Sequence, residues 1–295
     1  MKKNINQVSE RIVNWIDKYA TKANIDTLIV GVSGGIDSSV VSTLCAMTGK
    51  KTIIVEMPIR TNENYTLDEE SVSTKHVKFL EEKFDNIQSE FVDLTTSFNT
   101  VRIDINQQSN QSNTENYKLS LANLASRLRM LTLYSFSNTY GGLVVGTGNK
   151  VEDYGIGFFT VGGDGQVDIS PIADLLKSEV YQLGKHLGVI PEILSSKPTD
   201  GLWDDGRTDE DQIGASYDEL EWAMNFVQEN WFWEQGMEHE GLLDYDPIAN
   251  EGIIHGEEIL LSDREKVVLE IYLHRHNKNK FKMQLPPVCD VGFIK

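Results

Sequence analysis

Cysteine is scarce in this chain of 295 residues. Cys45 and Cys289 are too few for a disulfide framework and too far apart for a CxxC metal or redox pair, so a reducing compartment, the cytoplasm, is expected. Long apolar runs are missing too: no window reaches the roughly 18 residues of a membrane span, and the stretch Met1–Gln7 leads into an amphipathic pattern unlike a secretory leader. Basic residues are outnumbered, 27 Lys+Arg against 45 Asp+Glu, for a formal net charge of −18. That deficit argues against sequence-independent nucleic-acid binding, which relies on cations facing phosphates. It leaves small phosphorylated ligands open. The six histidines, His76, His186, His239, His255, His274 and His276, show no metal-ligand spacing.

What is present alternates. Ile5, Val8, Ile12, Trp15, Ile16 and Tyr19 follow the three-and-four spacing of an amphipathic helix, and Thr27–Val32 is a short β-branched run typical of a buried strand. Further strands are expected at Lys51–Glu56, Glu90–Leu94 and Gly142–Gly146, with helical patterns at Ser38–Thr48, Asp68–Lys83 and Glu115–Asn138 between them. The fold class this implies is α/β: a Rossmann-like parallel sheet with helices on both faces and ligands at the carboxyl ends of the strands. The polar tract Asn106–Thr114 is expected to be a mobile loop outside the core. The whole chain reads as a single domain, residues 1–295, with an acidic lid and inserted region at about 200–262.

The most informative segment is Gly31-Val32-Ser33-Gly34-Gly35-Ile36-Asp37-Ser38-Ser39, which leaves a strand and opens a helix. Glycines allow a tight turn whose N–H groups face a ligand, and the serine hydroxyls and helix N-terminus add anion contacts. No lysine follows the glycines, so this is not the GxxxxGK[ST] phosphate loop. An acid inside an anion site is costly unless it holds a cation, and for Asp37 the natural cation is Mg²⁺ shared with phosphates. In full, SGGxDS resembles the loop of the ATP pyrophosphatases, which split ATP between the α and β phosphates; the fold this implies is of the adenine nucleotide alpha hydrolase type.

A second block narrows the resemblance. Gly146-Thr147-Gly148-Asn149-Lys150-Val151-Glu152, Gly157-Phe158-Phe159-Thr160, Gly163-Asp164-Gly165, Asp168-Ile169-Ser170-Pro171-Ile172 and Leu176-Lys177 are similar to the NAD synthetase family pattern GTxxxxE…GFFTxxGDGxxDxxPxxxLxK. Asn123 to Met130 resembles that family's NxxxRxRM helix, and Pro198-Thr199, Asp209-Glu210, Gly214 and Tyr217 resemble its PT…DE..LG..Y stretch. The resemblance implies an ammonia-dependent ligase: the carboxylate of deamido-NAD attacks the α-phosphate of ATP, pyrophosphate leaves, and ammonia displaces AMP to give the amide. Position by position it implies ATP contacts from Gly31, Val32, Ser33, Gly34, Gly35, Ile36, Asp37, Ser38, Thr147, Lys177 and Thr199. Mg²⁺ would be held by Asp37 and Glu152, and deamido-NAD by Arg127, Asp168, Asn279 and Lys280. Apart from the resemblance, a lysine in a first helical turn opposes the helix dipole, which itself favours a ligand role for Lys177.

The sequence departs from the family in two places. Val161 stands where the family has a lysine after FFT, which opens a rival reading, the same chemistry on another carboxylate such as nicotinate mononucleotide. The family's HK pair before a proline pair is matched by Asn279-Lys280, ahead of Pro286-Pro287. A catalytically idle ATP-binding regulatory module is the other rival. With no glutaminase-type domain ahead of the loop, nitrogen is expected from free ammonia or a donating partner chain, and the family implies a homodimer. Residues 200–263 carry 19 acids and one base, Arg207, while the rest of the chain balances at 26 and 26. The acidity thus belongs to the expected lid, Gly201 to Gln212, and to the Trp-rich insertion.

Overall fold

The computed structural model describes residues 4–60, 71–108, 114–196, 198, 208–230 and 261–286. Its first helix, α1 (Ile5–Lys22), begins where the Asn4 side chain accepts the Asn6 N–H, and it buries Ile12, Ile16 and Ala20 on one face. Four parallel strands follow: β1 (Thr27–Gly31), β2 (Lys51–Glu56), β3 (Ile87–Phe91) and β4 (Gly142–Val144), in the spatial order β3-β2-β1-β4. The chain winds outward from β1 to β2 and β3 and then returns to pair β4 on the other side of β1. That reversal opens a crevice at the carboxyl end of β1, where doubly wound sheets bind their ligands.

Alternating side chains of β1 supply two cores. Leu28 and Val30 pack with α1, α2 (Ile36–Met47) and α6 (Lys177–Leu187) on one face. Ile29 packs on the other with Ile53, Val55, Val144 and the helix α5 (Glu115–Tyr140), through Met130 and Leu133. Cys45 is wholly buried in the first core, and that burial lifts its thiol far above the ordinary range, so it acts as a small apolar residue. The helix α3 (Val72–Lys83), capped by the Ser71 hydroxyl, closes over Val32 and Ile54. Two short helices follow α6, α7 (Pro191–Ser195) and α8 (Asp209–Ile213), and a third apolar cluster joins a turn of π-helix (Val151–Ile156), α8, α9 (Tyr217–Asn230) and α10 (Asp263–Asn279), with Trp222 packed against it.

Two expectations shift. The edge strand covers Ile87–Phe91, not Glu90–Leu94, although Val92 and Leu94 still donate to Glu56 O and Pro58 O at 2.9 and 3.0 Å. An edge strand with an alternating, half-exposed pattern leaves its ends weakly specified by sequence. Asn106–Gln108 close a helix that the polar tract did not announce, α4 (Thr95–Gln108); Phe98 anchors it, and exposed Asn and Gln are tolerated on its outer face. Thr114 ends that tract as the N-cap of α5, and residues 109–113 lie outside the described residues, as do Cys289, Gly201 to Arg207 of the expected lid, and Trp203, Trp231 and Trp233. No helix among the described residues is long and apolar enough to cross a membrane.

Candidate active site

β1 ends directly in the glycine-rich loop, and Val32 N–H still reaches Val55 O at 3.0 Å. Gly34 sits at φ +86°, a conformation glycine adopts without strain, and a Cβ there would press on the Ser73 backbone nitrogen at 3.1 Å. The loop is locked from within: Ser33 N–H donates to Ser38 Oγ (3.3 Å), Gly35 N–H to Ser33 Oγ (3.2 Å), and Ser38 and Ser39 hydroxyls donate to Gly35 O. Gly35 is the N-cap of α2 and no side chain caps it. A helix start so presented is an anion site.

The loop forms one wall of a cleft of about 1640 Å³. At its floor lies a buried ionic triad. Lys177 Nζ donates to Asp37 Oδ2 at 2.6 Å and to Glu152 Oε1 at 2.9 Å, with Lys177 only 4% exposed and each carboxylate 16%. Asn149 Nδ2 donates to Asp37 Oδ1 at 3.2 Å, Tyr217 Oη to Glu152 Oε1 at 2.6 Å, and the Lys177 ammonium stands 4.7 Å from the Tyr217 ring centre. Burial pushes the Asp37 carboxyl up, against the pull of Lys177; at Glu152 burial acts the same way, but Lys177 and Tyr217 outweigh it and hold the carboxyl below its usual range. Burial would depress the Lys177 ammonium, and the two carboxylates overcome this and keep it protonated. Asp153, which sequence reading passed over, also lines the cleft; burial, then Glu152, Asp164 and Asp37, push its carboxyl up to about 8.

Two carboxylates converging on one cation suit a hard divalent ion as well as an ammonium. Among the described residues no group of three or more His, Cys, Asp or Glu is placed to hold a metal. A Mg²⁺ at Asp37 and Glu152 would take its other oxygens from phosphate and water, as that ion ordinarily does. The donor set fits.

The opposite wall comes from α5. Arg127 Nε donates to Val161 O at 3.1 Å and Arg129 Nε to Met57 O at 3.2 Å, so both guanidiniums line the cleft. Ser126 donates to Asp164, which also accepts the Thr160 N–H at 3.1 Å, while Thr160 Oγ1 donates to Asn123 at 2.7 Å. This ties the Phe158–Gly165 segment to α5.

Most residues singled out in the sequence thus meet: Gly31 to Ser38, Thr147, Glu152, Lys177, Arg127 and Asn279 share the cleft. Thr199 lies outside the described residues. Asp168 does not line the cleft; it is exposed and accepts from Tyr134 Oη (3.2 Å) and Val144 N–H (2.8 Å) beside β4. Asn279 Nδ2 donates to Ile156 O at 2.8 Å, whereas Lys280 lines a separate cavity of about 430 Å³. The lysines of this stretch on the cleft side are Lys278 and Lys282, and the Lys282 ammonium donates to Gly157 O (2.5 Å) and Phe159 O (2.9 Å) and lies over the Phe159 ring. Helical geometry past Asn279 decides this: one 3₁₀ turn, Lys280–Lys282, sends neighbouring side chains to different sides.

A family model described as NAD synthase matches residues 8–250. The chain is 39% identical, over 74% of its length and 84% of the relative's, to an NH(3)-dependent NAD(+) synthetase of Alkaliphilus oremlandii. It is 32% identical to that of Mycoplasma genitalium, over 95% and 96% of the two chains. Among solved structures, the NMN synthetase of Francisella tularensis superposes with a TM-score of 0.75 at 27% identity, covering 98% of this chain and 100% of the other.

Proposed function

The chain belongs to the NAD synthase family, and from that premise we propose that its cleft converts deamido-NAD, ATP and ammonia into NAD, AMP and pyrophosphate. The observation that carries the reading is the position of Lys177, Asp37 and Glu152 beneath an uncapped helix start. Adenylation brings a carboxylate oxygen to a phosphorus surrounded by negative oxygens, so cationic stabilisation at that point lowers the barrier directly. The Gly31 to Ser38 loop would receive the β and γ phosphates, through the N–H groups at the uncapped start of α2, with Lys177 and Thr147 reaching the triphosphate. Mg²⁺ on Asp37 and Glu152 would neutralise phosphate charge as the pyrophosphate departs.

Arg127, Arg129 and Lys282 face the remaining volume, which suits an anionic acceptor. The carboxylate of that acceptor forms a C–O–P bond to the α-phosphorus while the bond to the β-phosphate oxygen breaks. Nitrogen of ammonia then attacks the acyl carbon, the C–O bond to AMP breaks, and the nitrogen loses a proton. Fixed side chains hold both partners in place, which removes the entropy cost of a two-body encounter. Asp168, Asn279 and Lys280 remain proposed acceptor contacts. Asp168, exposed beside β4, would meet the acceptor where a second copy of the chain completes the site.

A homodimer fits the exposed apolar side chains of β3, α4 and α5: Phe91, Ile103, Leu119 and Leu131 are 51–66% exposed, and Phe91 and Leu119 also line the cleft. Two observations favour a second reading in which nicotinate mononucleotide is the acceptor. Val161, 49% exposed, offers no cation on the acceptor side, and the chain superposes on an NMN synthetase over 98% of its length. Steady-state assays with ammonia and each nucleotide separate the two. A higher kcat/KM for deamido-NAD supports the first, and a tenfold or greater preference for the mononucleotide establishes the second.

A further inference from the structure

We propose that Glu56 recognises the ribose hydroxyls of the ATP bound in this cleft, and so makes the enzyme selective for ribonucleotide over deoxyribonucleotide donors. The proposal rests on the ATP-dependent reading above. Glu56 is the last residue of β2, one position beyond Val55, which pairs with Gly31 and accepts the Val32 N–H. It therefore stands beside the first residues of the phosphate loop, at the carboxyl edge of the sheet. Along β2, Ile54 packs under α3 while Ile53 and Val55 pack toward α5, and Glu56 follows Ile54 to the α3 side.

Its surroundings are unusual for a carboxylate. Glu56 is only 6% exposed, and it lines the cleft. Thr74 Oγ1 donates to Oε2 at 2.8 Å, and among the described residues no other hydrogen bond or ion pair engages this carboxylate. A buried carboxylate with a single hydroxyl partner is expensive to keep, and glutamine or threonine would serve a purely structural role at lower cost. The missing donors are those a ligand would bring.

The position is rigid with respect to the phosphates. Thr74 is held through its N–H to Ser71 Oγ at 3.1 Å, and the start of α3 comes close enough to Gly34 of the phosphate loop that a Cβ there would lie 3.1 Å from Ser73 N. In doubly wound sheets, an acid at the end of the second strand, about 20 residues after the glycine-rich turn, accepts the ribose hydroxyls of a nucleotide whose phosphates lie on the first helix. Gly35 and Glu56 reproduce that arrangement with a different loop.

Calorimetric titration of the full chain with ATP, 2′-deoxy-ATP, 3′-deoxy-ATP and ITP, without acceptor, tests this. The wild type should bind ATP about tenfold or more tighter than at least one deoxy analogue, the range for a hydrogen bond to a charged group. Glu56→Gln, which leaves Thr74 an acceptor, should reduce that ratio several-fold, and Glu56→Met should bring it within about twofold of unity. The ITP-to-ATP ratio should stay constant throughout. Equal wild-type binding of ATP and both deoxy analogues overturns the proposal without any variant. So does an unchanged ratio in folded variants, or a change confined to ITP, which would make Glu56 a reader of the base. Failure of the wild type to bind ATP at all overturns the ligase reading itself, and this proposal with it.

Discussion

Replacing Lys177 by Met probes the ionic triad on its own, apart from turnover. The ammonium is 4% exposed and lies 2.6 and 2.9 Å from two carboxylates that are each 16% exposed. Removing it leaves two buried negative charges facing each other, with Asn149 and Tyr217 the side chains that donate to them among the described residues. Breaking a buried ion pair at one partner costs about 3–5 kcal/mol. For a chain of this size that is roughly 6–20 °C in Tm. The assay is thermal unfolding in chelated buffer, compared with Lys177→Met/Asp37→Asn, which removes one of the opposed charges and should recover part of the loss. Adding Mg²⁺ should then stabilise the Lys177→Met variant more than the wild type, because ion and ammonium compete for the same oxygens; an ion at 100 times its Kd contributes about 2.7 kcal/mol. A loss below about 1 kcal/mol would refute the buried triad, and equal Mg²⁺ effects on both proteins would refute Asp37 and Glu152 as its ligands.

Three further outcomes follow from single contacts. His76 is fully buried between α2 and α3 with Nε2 3.0 Å from Ser42 Oγ, and burial pushes its imidazole down to about 4. The unfolded chain then binds the extra proton between pH 6.5 and 4, so stability falls as pH falls through that window; urea unfolding of wild type and His76→Leu should show their difference shrinking by about 3 kcal/mol, and parallel profiles would refute it. Gly157 sits at φ +61° and a Cβ there would collide with Asn279, so Gly157→Ala should cost more than about 1 kcal/mol in urea unfolding; a neutral result would show that α10 can shift to make room. Val161→Lys should lower KM for deamido-NAD several-fold and leave KM for ATP unchanged; no change in either would remove Val161 from the acceptor site.

How much of this was legible beforehand depended on how locally each feature is encoded. β1, β2 and the helices α1, α2, α5 and α10 follow from short-range apolar periodicity, and the phosphate loop from a motif whose glycines and serines act within nine residues. Arg127, Glu152 and Lys177 were found through motif resemblance, and the cleft does bring them together. α4 was missed because it opens on Thr95 and Thr96 and closes in a polar tract, and its one wholly buried apolar anchor, Phe98, makes no repeating stripe. Lys282 was passed over for Lys280 because side-chain direction there depends on a 3₁₀ turn that no periodicity reveals. The links from Ser126 to Asp164 and from Tyr217 to Glu152 span 38 and 65 residues and exist only once the fold is closed. Glu56 gave no signal of its own. In sequence it is one polar residue ending an apolar strand, and its burial and its place beside the phosphate loop arise from the register of β1 on β2.

The central claim is that the acceptor carboxylate is adenylated, and the fate of its oxygen tests this most directly. Turnover of deamido-NAD labelled with ¹⁸O in the nicotinate carboxylate, with ATP, Mg²⁺ and ammonia, should place one labelled oxygen in the phosphate of AMP and none in pyrophosphate, in step with amide formation. Label appearing in orthophosphate alongside ADP would mean a phosphorylated intermediate and attack at the γ-phosphate. Amide formed with unlabelled AMP would exclude the adenylate altogether.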